Sequence, residues 1–300
     1  ILKEQAALQG FSVDPRIPME IAGIEEELQQ LQAELAAVSG NVLFSRFWQI
    51  DEKTSLLCVI SYLRPRLTPQ YWRPMTGFGE IQGLSSIYYS LDRAFENVPV
   101  EDDALYFGTE FPRVGWKGSI IILGGDDNND VMKAIKAQFL KKGDYKLPID
   151  FEYETLLWKD EPKVKCKGLV CRDDDGVTLF EPKINQDQNV DIDYGLIARF
   201  PNPFNFQSKL FIFAGCHTYG TAAAARVVAS KPILQTIERE CPAYSNSEFF
   251  AAAVRCSVNE VDRHYFNVDG IEVFYPLALD QNNKLQFVKG IKKGIDFPAN

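Results

Sequence analysis

Ser119-Ile120-Ile121-Ile122-Leu123 runs into Gly124-Gly125-Asp126-Asp127-Asn128-Asn129-Asp130, and Val131 to Lys141 follows. The first segment is a short, β-branched apolar run closed by glycines, which is the pattern of a strand buried on both faces. The paired glycines permit a sharp turn, and the next segment repeats its apolar residues at helical spacing. Strand, glycine loop and helix in that order read as an α/β unit with a parallel strand at its centre. The same alternation continues outward. Leu56–Leu63 reads as a second buried strand, and Ile81 to Phe95 as a helix. Phe151–Trp158, Val164–Cys171, Val177–Glu181, Gly195–Phe200 and Leu210–Ala214 change to strand period, with turns at Asp173 to Gly176 and at Pro201-Asn202-Pro203. Thr221–Ala229 and Ile233–Glu240 return to helix, and the chain ends on strands Phe249–Val258 and Ile271–Leu279 around a turn at Asn267 to Gly270. The expected fold class is α/β, a three-layer sandwich with a mixed sheet and inserted β-hairpins.

The sequence has 300 residues, of which 46% are hydrophobic, enough to bury a core without staples. Its net charge of −9 argues against a general nucleic-acid binder, which would neutralise phosphates with Lys and Arg. The apolar runs are too short to span a bilayer, and no charged-then-apolar leader opens the sequence, so no membrane partner and a cytoplasmic location are expected. The first residue is Ile1 rather than Met, as in a fragment or processed chain. The six cysteines include no Cys-x-x-Cys pair, and there are only two histidines, so neither a zinc site nor a disulfide framework is expected. No other cofactor is indicated.

Residues 1–40 form a separate segment, ahead of an α/β ligand-binding or interaction domain over 41–300. Ile21, Ile24, Leu28, Leu31, Leu35 and Val38 alternate spacings of three and four, a heptad stripe that predicts an N-terminal helix. Two readings stand side by side. The helix docks on its own domain, or it is a coiled-coil connector that oligomerises and reaches an N-terminal effector domain.

Two strand-to-helix loops are candidate ligand sites, because ligands of open α/β sheets gather beyond the carboxyl ends of strands. The first comprises Gly124, Gly125, Asp126, Asp127, Asn128 and Asn129. It lacks the Gly-Lys-Ser/Thr ending of a phosphate loop, and its carboxylates and amides suit ribose hydroxyls or a hard cation. A helix-capping turn is the plain alternative. The second comprises Gly215, Cys216, His217, Thr218, Tyr219, Gly220 and Thr221 at a helix start, where backbone amides could meet an anion. Cys216 beside His217 suggests a nucleophile, but neighbouring side chains diverge, and a thiol and its base come from separate segments. His264 is the other histidine. Gly77-Phe78-Gly79-Glu80-Ile81-Gln82-Gly83 is a weaker third loop, since no strand directly precedes it.

Ala6-Ala7, Gly10-Phe11, Pro15, Ile17-Pro18 and Ile24-Glu25 resemble linkers that follow effector domains in bacterial signalling proteins of the TIR and STAND-NTPase kinds. Gly124-Gly125 with Asn129, Asp193-Tyr194-Gly195, Asn202-Pro203-Phe204, Ala214-Gly215 and Gly220-Thr221 with Ala223-Ala224 resemble a Rossmann-like module of prokaryotic regulatory proteins and, more distantly, of archaeal surface-layer proteins. The Gly-Gly-Pro usual there is Gly124-Gly125-Asp126 here. The resemblance implies a sensor or accessory domain without established catalytic residues.

The expected function is therefore a sensor module in prokaryotic signalling or antiviral defence. It would bind a small ligand such as a nucleotide at the two glycine loops. It would oligomerise or couple to an effector through the N-terminal helix. Two alternatives are a hydrolase or nucleoside-type glycosidase, using Asp126 or Asp127 with Cys216 or His217, and a pure protein-interaction module.

Overall fold

The computed structural model describes residues 24, 28, 41–50, 55–61, 77–95, 100–107, 118–125, 129–141, 148–158, 161–173, 176–187, 189–262, 265–279 and 285–287. The chain divides into two compact units, Ile1–Val42 and Leu43–Asn300. In the first, Ile24 and Leu28 are helical and exposed, and the other heptad positions lie outside the described residues.

The second unit opens with helical residues 43–48 (α1). Next come β1 (Leu56–Ile60), α2 (Phe78–Ala94), β2 (Val100–Phe107), β3 (Ser119–Leu123) and α3 (Asp130–Lys141). A run of strands follows: β4 (Ile149–Trp158), β5 (Glu161–Asp173), β6 (Gly176–Phe180), β7 (Lys183–Ile184), β8 (Val190–Asn202) and β9 (Asn205–Gly215). Helices α4 (Thr218–Ala229) and α5 (Lys231–Glu240), a 3₁₀ turn at Pro242–Ser245, and strands β10 (Phe250–Asp262), β11 (Tyr265–Leu279) and β12 (Leu285–Phe287) complete it. This is an α/β fold with a mixed sheet, as the alternation of periods predicts.

The main sheet has the order β12-β11-β10-β8-β9-β3-β1-β2, with β7 beside β8. Strands β2, β1, β3 and β9 run parallel, and β9, β8, β10, β11 and β12 pair antiparallel in succession. Alternate residues of each central strand enter opposite cores. Ile121 and Leu123 of β3 join Phe211 and Phe213 of β9 against α1, α2, α4 and α5. Ile120 and Ile122 join Leu210 and Ile212 against α3 and a small second sheet. Ile120 to Leu123 have no exposed surface, which is why their sequence is apolar without alternation.

The small sheet, β4-β5-β6, lies between α3 and β8 in the chain and docks on the second face. Phe180 of β6 packs edge-on to Phe274 of β11 at 4.9 Å and lies 5.6 Å from Tyr194 of β8. Tyr194 is thus taken up in docking one sheet on the other, and Tyr219 packs partly buried against the helical core.

Two local expectations are corrected. Asn267 to Gly270 is not the hairpin turn, because Asp262 pairs with Tyr265 and the strand continues through the segment. The register slips there, and Gly270, at φ 53°, sits with Ile271 in a bulge opposite Cys256. Helix α4 begins at Thr218 rather than Thr221, so Gly220 lies inside its first turn. Among the described residues no helix is long and apolar enough to cross a membrane.

Candidate functional site

Parallel strands β1 and β3 are neighbours, but the helices that follow them go to opposite faces. Ile87 and Leu91 of α2 enter the first core, and Val131, Met132 and Ile135 of α3 enter the second. The sheet therefore has a topological switch point at the carboxyl ends of β1 and β3, where a crevice opens in folds of this class.

Glu80, in the first turn of α2, is the centre of that edge. It is a buried carboxylate. Ser61, just past β1, donates to its Oε1 at 2.8 Å, and Thr218 of α4 donates to its Oε2 at 3.1 Å. The Gly79 N–H donates to Thr218 Oγ1 at 2.7 Å, which ties the starts of α2 and α4 together. Gly124 closes the ring. Its φ of 103° is a conformation that favours glycine, and a Cβ there would strike Ser61. The three glycine loops, widely separated in sequence, thus meet around one carboxylate. Gly125 is buried beside them. Asp126, Asp127 and Asn128 lie outside the described residues. Asn129 has no exposed surface and caps α3, its Oδ1 accepting from the Val131 and Met132 N–H groups at 3.1 and 3.2 Å.

The start of α4 is satisfied from within the chain. Asp193 of β8 has no exposed surface, and its carboxylate accepts from the N–H groups of Tyr194, His217 and Gly220. It is an N-terminal cap supplied by a neighbouring strand, with its charge at the favourable end of the helix dipole. The amides of His217 and Gly220, which the sequence offered to an anion, are donated to Asp193. Gly195, Gly215 and Gly220 make this possible. A side chain on Gly220 would collide with the Tyr194 carbonyl, and one on Gly195 with the Gly220 carbonyl. Gly83 packs likewise against Leu123 and Ala225 where α2 crosses α4. Thr221 is buried, and its N–H bonds back to the His217 carbonyl at 3.4 Å.

His217 and Thr218 diverge. Thr218 turns to Glu80, whereas the His217 ring holds Asp193 Oδ1 through Nδ1 at 3.2 Å and lines a cavity of about 250 Å³ beside the small sheet. A carboxylate only accepts, so this contact assigns the ring proton to Nδ1 and turns Nε2 away from Asp193. The Cys216 thiol is not set up as a nucleophile. Its hydrogen bond with Cys166, its burial and the nearby Asp193 push it far above the ordinary thiol range. All six cysteines are free and buried. His264 lies outside the described residues. Among the described residues no group of three or more His, Cys, Asp or Glu is arranged to hold a metal.

Sequence reasoning found the glycine loops but missed Ser61, the position of Glu80 and the role of Asp193. A lone Ser after a strand and a Glu at a helix start carry no local signal. Asp193 carried one, since an acidic residue inside an apolar strand needs a partner. The cavity lining from β4 and β5 had none, because only the docking of the small sheet creates it. Comparison of the chain with protein-family models, curated proteins and solved structures gave no match.

Proposed function

We propose that this chain is the ligand-binding regulatory module of a prokaryotic signalling or antiviral-defence protein, working in the cytoplasm. The observation that carries the reading is the meeting of three glycine loops around Glu80 at the switch point. That edge combines close backbone approach at Gly124 with a carboxylate and two hydroxyls, Ser61 and Thr218. Carboxylates accept from the hydroxyls of a sugar and repel phosphate, so the edge suits the ribose end of a nucleoside or nucleotide. The parallel strands with helices on both faces support a Rossmann-like module, and the resemblance of Leu2–Leu35 to effector linkers supports coupling through that segment. Binding at Glu80 would reach α4 through Thr218 and α2 directly, and the N-terminal helix would pass the change on by oligomerising or by moving an effector.

Native mass spectrometry of the chain purified from cells, repeated after denaturation, tests this. The expected result is a nucleotide-sized mass that is released on denaturation and weakened in Glu80→Gln. Removal of residues 1–40 should change copy number and leave that mass in place. A bare chain that adenosine, AMP and ATP all fail to protect against unfolding overturns the reading.

A further inference from the structure

The cavity at His217 lies on the other side of the α4 start from Glu80 and answers to different chemistry. The buried Cys166 and the partly buried His217 form its floor, and its rim carries Lys165 and Lys167 of β5 with Glu154 of β4 and Glu181. Glu154 and Lys165 are directly opposite in the β4–β5 register, and Lys167 also meets Glu152 Oε1 at 3.5 Å. Both signs of charge therefore face one small space. An occupant of a single sign would meet a repelling wall, whereas a dipolar one pairs with both. The volume of about 250 Å³ falls below the ~300–1,000 Å³ of sites for drug-sized ligands. That scale suits a small molecule. The floor supplies a fixed polar atom, because the fully buried Asp193 orients the imidazole and, in the neutral ring, leaves Nε2 as the acceptor.

We propose that this cavity binds a small zwitterion of the amino-acid class, separately from the ligand at Glu80. Lys165 and Lys167 meet its carboxylate. Glu181 and Glu154 meet its ammonium group, which also donates to His217 Nε2. The site joins the small sheet to the start of α4, so occupancy holds those two parts together and gives the module a second input.

The test is calorimetric titration of the full chain with each standard amino acid, alongside NMR of chain labelled with ¹⁵N-histidine. Only two imidazoles report in that spectrum. The expected result is binding by at least one amino acid that shifts one imidazole, assigned by its loss in His217→Asn. Affinity should fall about tenfold or more in His217→Asn and in Lys165→Met, each a loss of at least ~1.4 kcal/mol. Lys165 is exposed, so its variant carries the test if His217→Asn does not fold. Absence of heat and of any imidazole shift with every amino acid overturns the proposal. Binding that survives both substitutions undiminished does so too.

Discussion

Strand β8 carries a buried anion at one end and a buried cation at the other, on the same face of the sheet. Asp193 and Arg199 are both without exposed surface and stand roughly 20 Å apart at strand spacing. Each is satisfied mainly by backbone rather than by an opposite charge. Asp193 takes N–H groups at the start of α4. Arg199 gives its guanidinium to carbonyls of Arg46 and Phe47 at the end of α1, and of Tyr244 and Ser247 around the 3₁₀ turn. Both choices follow the helix dipole, anion at the amino end and cation at the carboxyl end. The Arg199 guanidinium also lies over the rings of Tyr244 and Phe47, and burial pulls it down to about 10, still charged at neutral pH. The difference lies in what else they touch. Arg199 binds only framework. Asp193 also grips His217, which reaches a cavity. One end of the strand is committed to stability, and the other links stability to a surface where a ligand can act.

Substitutions at the two ends should separate these roles. The largest effect is expected for Arg199→Met, which strands four carbonyls around an apolar side chain and should cost about 4 kcal/mol in urea unfolding. A loss below about 1 kcal/mol would mean that the framework end relaxes and the contrast is false. At the other end, Gly220→Ala drives a methyl into the Tyr194 carbonyl and should cost about 1–3 kcal/mol, because α4 must lift from β8. Asp193→Asn keeps one acceptor oxygen but removes the charge and the preferred ring tautomer of His217. About 1 kcal/mol of stability should go, with a larger proportional loss of amino-acid binding in the cavity. Smallest of all is His217→Ala. Its side chain is partly exposed, and three N–H groups still satisfy Asp193 without it, so stability should stay within about 0.5 kcal/mol of the parent while cavity binding disappears. A large destabilisation there would make His217 a framework residue like Arg199.

The unequal legibility of the two ends in the sequence has a physical cause. The run Ile120 to Leu123 announced a fully buried central strand, because only apolar residues survive between two covered faces. Gly215 and Gly220 announced a tight strand-to-helix junction, but their pattern suits ligand approach and helix–sheet contact equally well. Only the Tyr194 carbonyl, lying against Gly220, decides for packing. Arg199 was invisible, because an arginine inside Leu196-Ile197-Ala198-Arg199-Phe200 looks like a surface residue until the carbonyls of α1 and the 3₁₀ turn converge on it. Glu80 was hidden in the same way, since Ser61 and Thr218 reach it from far along the chain. Local sequence records what a residue can do, and the partner that fixes its use arrives from another element.

The division of the sheet into parallel and antiparallel halves also sets an order of assembly. Strands β8 and β9 meet across the short turn at Pro203-Phe204, and β10 meets β11 across an equally short connection, so these hairpins close small loops and can form early. On the other side, Ile120 of β3 pairs with Leu210 of β9, far along the chain. During synthesis β1 and β3 therefore emerge long before the strand that completes their pairing. β1 can pair with β2 and β3 as they emerge, but the far edge of β3 waits for β9, and that interval is when the chain is most exposed to misassociation.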